Sequence, residues 1–151
     1  MTARIDANRL APEGRQAMAA LQAYVNRSGL ESALLELVKI RASQINGCAF
    51  CLAMHVRDAR AQGEREERLH LLPAWREAPF YTGRERAALA WTEAVTLVTD
   101  GHVPDAVYEA ARQEFDEKEL VDLTYAVVAI NGWNRLAIAF RKPPEVAGAA
   151  A

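Results

Sequence analysis

Cysteine, aromatic residues and an excess of either charge are all scarce in this sequence of 151 residues. Two cysteines do not make a disulfide-stapled scaffold, and a chain of this length buries about 68–70% of its unfolded surface without staples. The formal net charge of -2 argues against a duplex-DNA-binding protein, because such proteins usually carry a basic excess. These absences favour one ordinary globular domain.

Long apolar runs are also missing. No run approaches the roughly 18 apolar residues that a membrane-spanning helix needs. The segment from Met1 to Leu10 has no apolar stretch that could act as a secretory signal. We therefore expect a cytoplasmic protein that binds neither membranes nor nucleic acids. One domain is expected over residues 1–151, with a core at about 31–141 and a frayed tail, rich in proline and alanine, at 142–151.

Apolar residues recur at the helical spacing of three to four, and no segment alternates convincingly with the period of two that a strand requires. Glycines separate these periodic segments, as is common near helix ends. Capping boxes are predicted at Thr82 with Glu85 and at Asp116 with Glu119. The sequence therefore predicts an all-α fold. Helices are predicted at 12–28, 31–45, 48–62, 82–100, 104–115 and 120–140, with a less regular connector at 63–82.

Burial can be predicted for several side chains from the same patterns. Leu97 and Val98 continue the apolar face of the helix predicted at 82–100, so we expect them in the core. The charged run from Glu64 to Arg68 is expected to form a solvated face. An aromatic cluster is expected in the core or at a subunit interface, because aromatic rings bury large areas. Its members are Trp75, Phe80, Tyr81 and Trp91.

Both cysteines stand together in the motif Cys48-Ala49-Phe50-Cys51. In a reducing compartment such a pair favours redox or metal chemistry over a structural bridge. If a helix begins near Asn46 or Gly47, Cys48 lies in its first turn, where unpaired backbone N–H groups and the helix dipole stabilise a thiolate. Residues three apart on a helix are also close enough to form a disulfide. The pair can therefore cycle between dithiol and disulfide.

His55 and Glu36 are the candidate proton carriers. His55 follows Cys51 by four residues, the spacing at which helical side chains touch, so its imidazole can exchange a proton with a thiol. Glu36 lies among apolar residues of the preceding predicted helix. It faces either solvent or the interior, where it would orient the histidine.

A second interpretation of these four side chains is a non-enzymatic module that binds zinc or senses redox state. Its ligands would be Cys48, Cys51, His55 and Glu36. Structural zinc sites usually draw ligand pairs from separate chain segments, and this sequence offers one cysteine pair. The redox centre is therefore the preferred hypothesis, and the zinc site is the alternative.

The order of Glu36, Cys48, Cys51 and His55 resembles the AhpD-like (alkylhydroperoxidase D-like) branch of the carboxymuconolactone decarboxylase superfamily. The stretch from Trp75 to Trp91 is similar as well. The resemblance covers most of the chain. It implies a single-domain helical bundle with a catalytic CxxC motif at a helix N-terminus, assembled as a homo-oligomer, commonly a trimer or a hexamer.

This resemblance implies a thiol-dependent alkyl hydroperoxidase or disulfide oxidoreductase in antioxidant defence, and no organic cofactor or metal. It implies that Cys51 attacks the peroxide, that Cys48 resolves the product and that Glu36 and His55 relay protons. The implied partners are a hydroperoxide substrate and an external dithiol or redox-protein reductant, such as a peroxiredoxin. The position of Cys48 in the first turn instead favours Cys48 as the more acidic thiol. Phe50 also departs from the best-known members, which carry a second histidine between the cysteines.

Overall fold

The computed structural model describes residues 2–145, and every regular element in that range is helical, which confirms the predicted all-α fold. The last six residues of the predicted tail, 146–151, lie outside the described range. None of the described helices is both long and apolar enough to cross a membrane. The elements are α1 (Ala7–Leu10), α2 (Pro12–Asn26), α3 (Ser32–Asn46), α4 (Ala49–Ala61), α5 (Glu66–Leu71), a 3-10 turn (Leu72–Ala74), α6 (Gly83–Thr96), α7 (Asp105–Glu114) and α8 (Glu117–Ala139).

Two capping boxes begin α6 and α8, as predicted. The Thr82 hydroxyl accepts a hydrogen bond from the Glu85 N–H (3.2 Å), and the Thr82 N–H donates to the Glu85 carboxylate (2.8 Å). Asp116 and Glu119 make the same reciprocal pair at the start of α8. Each box satisfies two backbone N–H groups that the first turn leaves without an intrahelical partner.

The end of α6 differs from the prediction. The helix ends at Thr96, four residues early, and Leu97 and Val98, which were expected in the core, are 45% and 46% exposed. The Asp100 N–H bonds to the Leu97 carbonyl (2.7 Å), which closes a turn, and Gly101 follows with φ +80°. This turn redirects the chain towards α7, so it carries both apolar side chains away from the buried face of α6.

The charged run in the connector, 64–68, is solvated only in part. Arg65, Glu66 and Glu67 are exposed as predicted, but Arg68, in the short helix α5, is only 9% exposed. Its guanidinium donates to the carboxylates of Glu64 (2.8 Å) and Glu85 (2.5 Å) and to the Phe80 carbonyl (2.6 Å). Burying this cation is possible because its fixed fork of N–H donors finds acceptors on three sides.

The core forms around α3, which packs against α4, α6 and α8. Leu37, Val38 and Ile40 of α3 have no measurable exposure, because neighbouring helices cover this helix on several sides. Of the four aromatic residues predicted to cluster, Trp75, Tyr81 and Trp91 are buried and Phe80 is partly buried, but Trp91 packs among a different set of apolar side chains from the other three. The chain after Asn46 therefore begins α4 against this packed interior.

Arg86 of α6 holds the connector onto the bundle. Its guanidinium donates to the carbonyls of Trp75 (3.2 Å), Arg76 (3.2 Å) and Tyr81 (3.1 Å), and also to the Ala78 carbonyl. These carbonyls belong to a segment with little regular structure of its own. The side chain therefore replaces the hydrogen bonds that a helix or a sheet would supply.

We expect Arg86→Gln to lower the free energy of unfolding by about 2–4 kcal/mol, because several partly buried carbonyls lose a charged donor. Urea denaturation followed by circular dichroism measures the change. Arg60→Gln is the matched control, since Arg60 pairs with Glu66 on the surface and such pairs contribute little. Equal denaturation midpoints for the two variants would contradict the role given to Arg86.

Candidate redox-active site

The two cysteines lie where α3 gives way to α4. Gly47 ends α3 in the left-handed conformation, with φ +68°, which a residue with a side chain rarely adopts. Cys48 is the N-cap residue of α4, so it lies one position before the first turn in which it was predicted. Its carbonyl accepts a hydrogen bond from the Leu52 N–H (2.9 Å). Cys51 lies within the first turn of α4. Both cysteines are free thiols and each is 1% exposed.

The pKa values of the two thiols shift in opposite directions. A hydrogen bond from the Cys51 thiol is the main reason that the pKa of Cys48 falls to about 6; burial opposes it, and the backbone N–H groups of Cys51 and Phe50 assist. The pKa of Cys51 rises well above its usual range. The main cause is the hydrogen bond that its thiol donates to Cys48; burial and the negative charge of a Cys48 thiolate add to it. The negative charge is therefore favoured on Cys48. The backbone N–H groups on which the helix-terminus argument rests contribute to this, but the hydrogen bond from Cys51 contributes more.

Glu36 and His55 meet between α3 and α4. The His55 Nδ1 lies 3.0 Å from the Glu36 Oε2, and the two residues are 8% and 6% exposed. Glu36 therefore faces the interior. Its position in the sequence left open whether it faces solvent or the interior. With Nδ1 donating to the carboxylate, the neutral ring keeps its Nε2 free to accept a proton.

The Glu36 carboxylate has a second partner that sequence reasoning did not single out. Lys39, one turn later on α3, places its ammonium 2.5 Å from the Glu36 Oε1. Burial raises the pKa of Glu36, but hydrogen bonds from His55 and Lys39 and the charge of Lys39 outweigh it, so the pKa lies below its ordinary value. Glu36 also lines a cavity of about 130 Å³ beside Ala33 and Ala59, roomy enough for water.

Asn134 of α8 is a further polar residue that the sequence analysis missed. Its side chain has no measurable exposure, donates to the Ser43 hydroxyl (3.0 Å) and accepts from the Asn46 amide (2.9 Å). A hydrogen bond from Asn134 also lowers the pKa of both Cys48 and Cys51. An amide among the mainly apolar residues of the helix predicted at 120–140 was the signal that could have identified it.

The zinc alternative requires its ligands to lie around one point. Within residues 2–145, no three His, Cys, Asp or Glu side chains are grouped closely enough to hold a metal ion. The remaining histidines, His70 and His102, are both exposed, as expected. Of the candidate side chains, the structure brings the two thiols together and joins Glu36 to His55, one turn of α4 beyond Cys51.

Comparison with known proteins places this geometry in a family. The model of the carboxymuconolactone decarboxylase family matches residues 12–94, which include all four candidate site residues. The uncharacterized protein YdfG of Bacillus subtilis is 44% identical over 139 residues, which are 92% of this chain and 95% of that protein.

Two solved structures share the fold. A protein of unknown function from Agrobacterium tumefaciens, proposed to be the antioxidant defence protein AhpD, superposes with a TM-score of 0.93 at 45% identity, over 96% of this chain and 99% of that chain. An uncharacterized peroxidase-related protein from Ralstonia eutropha, described as an alkylhydroperoxidase AhpD core, has a TM-score of 0.80 at 21% identity, over 91% and 74% of the two chains. A family match over more than half of its length, together with this fold, makes the chain a member of the carboxymuconolactone decarboxylase family, in its AhpD-like branch.

Proposed function

We propose that this protein is a thiol-dependent peroxidase that reduces alkyl hydroperoxides through a disulfide cycle of Cys48 and Cys51. The observation that carries the proposal is the buried Glu36–His55 pair, joined at 3.0 Å, one helical turn beyond a dithiol at the start of α4. A nucleophile, a base and a group that orients the base are the parts that an activated thiol requires. The A. tumefaciens relative, itself proposed for antioxidant defence, agrees with this role.

The first step oxidises one thiol and reduces the peroxide. His55 takes the proton of Cys51, and the resulting thiolate attacks one oxygen of the hydroperoxide. The O–O bond breaks, the S–O bond forms, and the leaving alkoxide takes the proton back from the imidazolium and departs as an alcohol. Cys51 is then a sulfenic acid, the reversible rung of thiol oxidation.

The second step closes the disulfide. The Cys48 thiolate attacks the Cys51 sulfur, the S–S bond forms, and the S–O bond breaks. The departing hydroxide becomes water with a proton relayed by His55 and Glu36 from solvent in the adjoining cavity. Burial of the pair supports fast closure, because the neighbouring thiolate meets the sulfenic acid before other reactants do.

An external dithiol must then supply two electrons and two protons by thiol–disulfide exchange. We propose a small dithiol or a redox protein, such as a peroxiredoxin, for this step. The backbone N–H groups of Cys51 and Phe50 would stabilise Cys48 as the leaving thiolate, and a more acidic thiol leaves faster. The trimer or hexamer and the cytoplasmic location expected from the sequence stay predictions.

Intact mass measurement on the reduced chain tests the function. One equivalent of cumene hydroperoxide is expected to remove two hydrogens per chain and to yield one equivalent of alcohol, and dithiothreitol should restore the dithiol for another cycle. The double variant Cys48→Ser with Cys51→Ser is the control and should yield no alcohol. An unchanged mass in the wild-type chain would overturn the proposed activity.

A further inference from the structure

Phe50 packs beside the dithiol and is contacted by Lys142, from the segment that follows α8. Phe50 is partly buried and packs against the cluster of apolar side chains that contains both cysteines. Lys142, an exposed residue three positions after the end of α8, places its ammonium 3.9 Å from the centroid of the Phe50 ring. This is cation–π geometry, in which the negative face of the ring attracts the cation.

The backbone after α8 directs Lys142 to this place. Arg141 adopts the left-handed conformation, with φ +54°, and the Lys142 N–H donates back to the Ala137 carbonyl (2.9 Å). Arg4, near the start of the chain, holds the same turn from outside: its N–H donates to the Phe140 carbonyl (3.0 Å) and its guanidinium to the Ala139 carbonyl (3.0 Å). The turn therefore folds Lys142 back towards the beginning of α4.

The groups around the dithiol show why a cation matters there. From α4, His55 lies one turn beyond Cys51; from α3, Glu36 lies behind His55 and brings a negative charge that Lys39 offsets. From α8, Asn134 contributes a neutral amide. Lys142 adds a permanent positive charge, and this charge lowers the pKa of Cys51 against the effects of burial and of Cys48.

We propose that Lys142 is a positioning residue that rests on the Phe50 ring and holds a positive charge beside the Cys48–Cys51 dithiol, where it favours loss of the first proton from the pair. The inference rests on the proposed function only in taking this dithiol as the reactive group. The segment after α8 thereby contributes to the site, in addition to the cysteine motif and the Glu36–His55 pair.

The pH dependence of alkylation by iodoacetamide tests this on the reduced full-length chain, without peroxide or reductant. At about pH 5, below the Cys48 pKa of about 6, Lys142→Met is expected to slow alkylation about 2–9-fold, because losing a nearby charge raises the thiol pKa by about 0.3 to 1 unit. At high pH, where the reactive thiol is ionised in both the wild type and Lys142→Met, the two alkylation rates should converge. Lys142→Arg, which keeps the charge, should behave like the wild type.

Two controls separate this role from a structural one. Arg141→Gln removes the same charge one residue earlier and should leave the pH profile unchanged. Phe50→Leu removes the ring that seats the ammonium and should shift the profile in the same direction as Lys142→Met. Added sodium chloride should also reduce the difference between wild type and Lys142→Met, since salt screens an exposed charge.

The inference is overturned if Lys142→Met and Arg141→Gln give the same profile. It is also overturned if Lys142→Met changes the rate by the same factor at every pH, because that result indicates altered access to the thiols rather than altered charge. Alkylation needs no hydroperoxide, so a chain that fails the peroxide assay can still pass or fail this test independently.

Discussion

Replacing Cys51 with serine is expected to abolish hydroperoxide reduction, and replacing Cys48 with serine is expected to leave a chain that gains one oxygen and stops. In the Cys48→Ser variant, Cys51 can still attack the peroxide with His55 as its base, but no second thiol is present to displace the sulfenic oxygen. Intact mass after one equivalent of cumene hydroperoxide, with dimedone to trap sulfenic acid, distinguishes the two variants. Turnover with dithiothreitol is expected only in the wild type.

The electrostatics of the pair make this experiment decisive for the order of attack. A hydrogen bond from Cys51 lowers the pKa of Cys48 to about 6, whereas the resemblance to the family implies attack by Cys51. We expect Cys51 to attack because His55 follows it by one turn of α4 and is oriented by Glu36. An oxygen adduct that appears in Cys51→Ser and not in Cys48→Ser would reverse the roles and make Cys48 the attacking thiol.

His55→Gln is expected to lower the rate of hydroperoxide reduction by about 10²–10⁴-fold, the usual contribution of a positioned acid–base group. The variant removes the imidazole that moves the proton and leaves the Glu36 carboxylate without one of its two partners. Stopped-flow measurement of peroxide consumption by the reduced chain gives the rate. Glu36→Gln should lower it as well, because an amide no longer holds the imidazole in the tautomer with a free Nε2.

His70→Gln is the matched control, since His70 is exposed and makes only a surface contact with Glu66. It should reduce peroxide at the wild-type rate. Diamide, which oxidises dithiols without acid–base help from a protein base, should still form the Cys48–Cys51 disulfide in His55→Gln. A His55→Gln chain that resists diamide has lost the geometry of the pair, and one that keeps the wild-type peroxide rate refutes the proton relay.

Local interactions explain why so much of the helical pattern could be predicted. The capping boxes at Thr82 and Asp116 involve residues three apart, so their partners are visible in the sequence. Gly47 marks the end of α3 for an equally local reason, because the left-handed turn there favours a residue without a side chain. The place of the cysteines at the start of α4 follows from these signals.

Predictions failed where distant contacts decide the outcome. Arg68 lies in a charged run, but Glu85, seventeen residues away, helps to bury it. Leu97 continues an apolar pattern, but the turn towards α7 ends the helix and exposes the side chain. Periodicity describes which residues share a face of a helix; it does not state what packs on that face or where a tertiary turn interrupts it.

The sequence by itself determined the helical class, the family and the four side chains proposed for the chemistry, because residue types and short spacings carry that information. Only the tertiary structure decided that Glu36 faces inward to His55, that Asn134 of α8 donates a hydrogen bond to the dithiol, and that Lys142 returns to rest on Phe50. Each of these contacts joins residues between 19 and 92 positions apart, a separation over which packing between helices, rather than local spacing, sets which side chains meet.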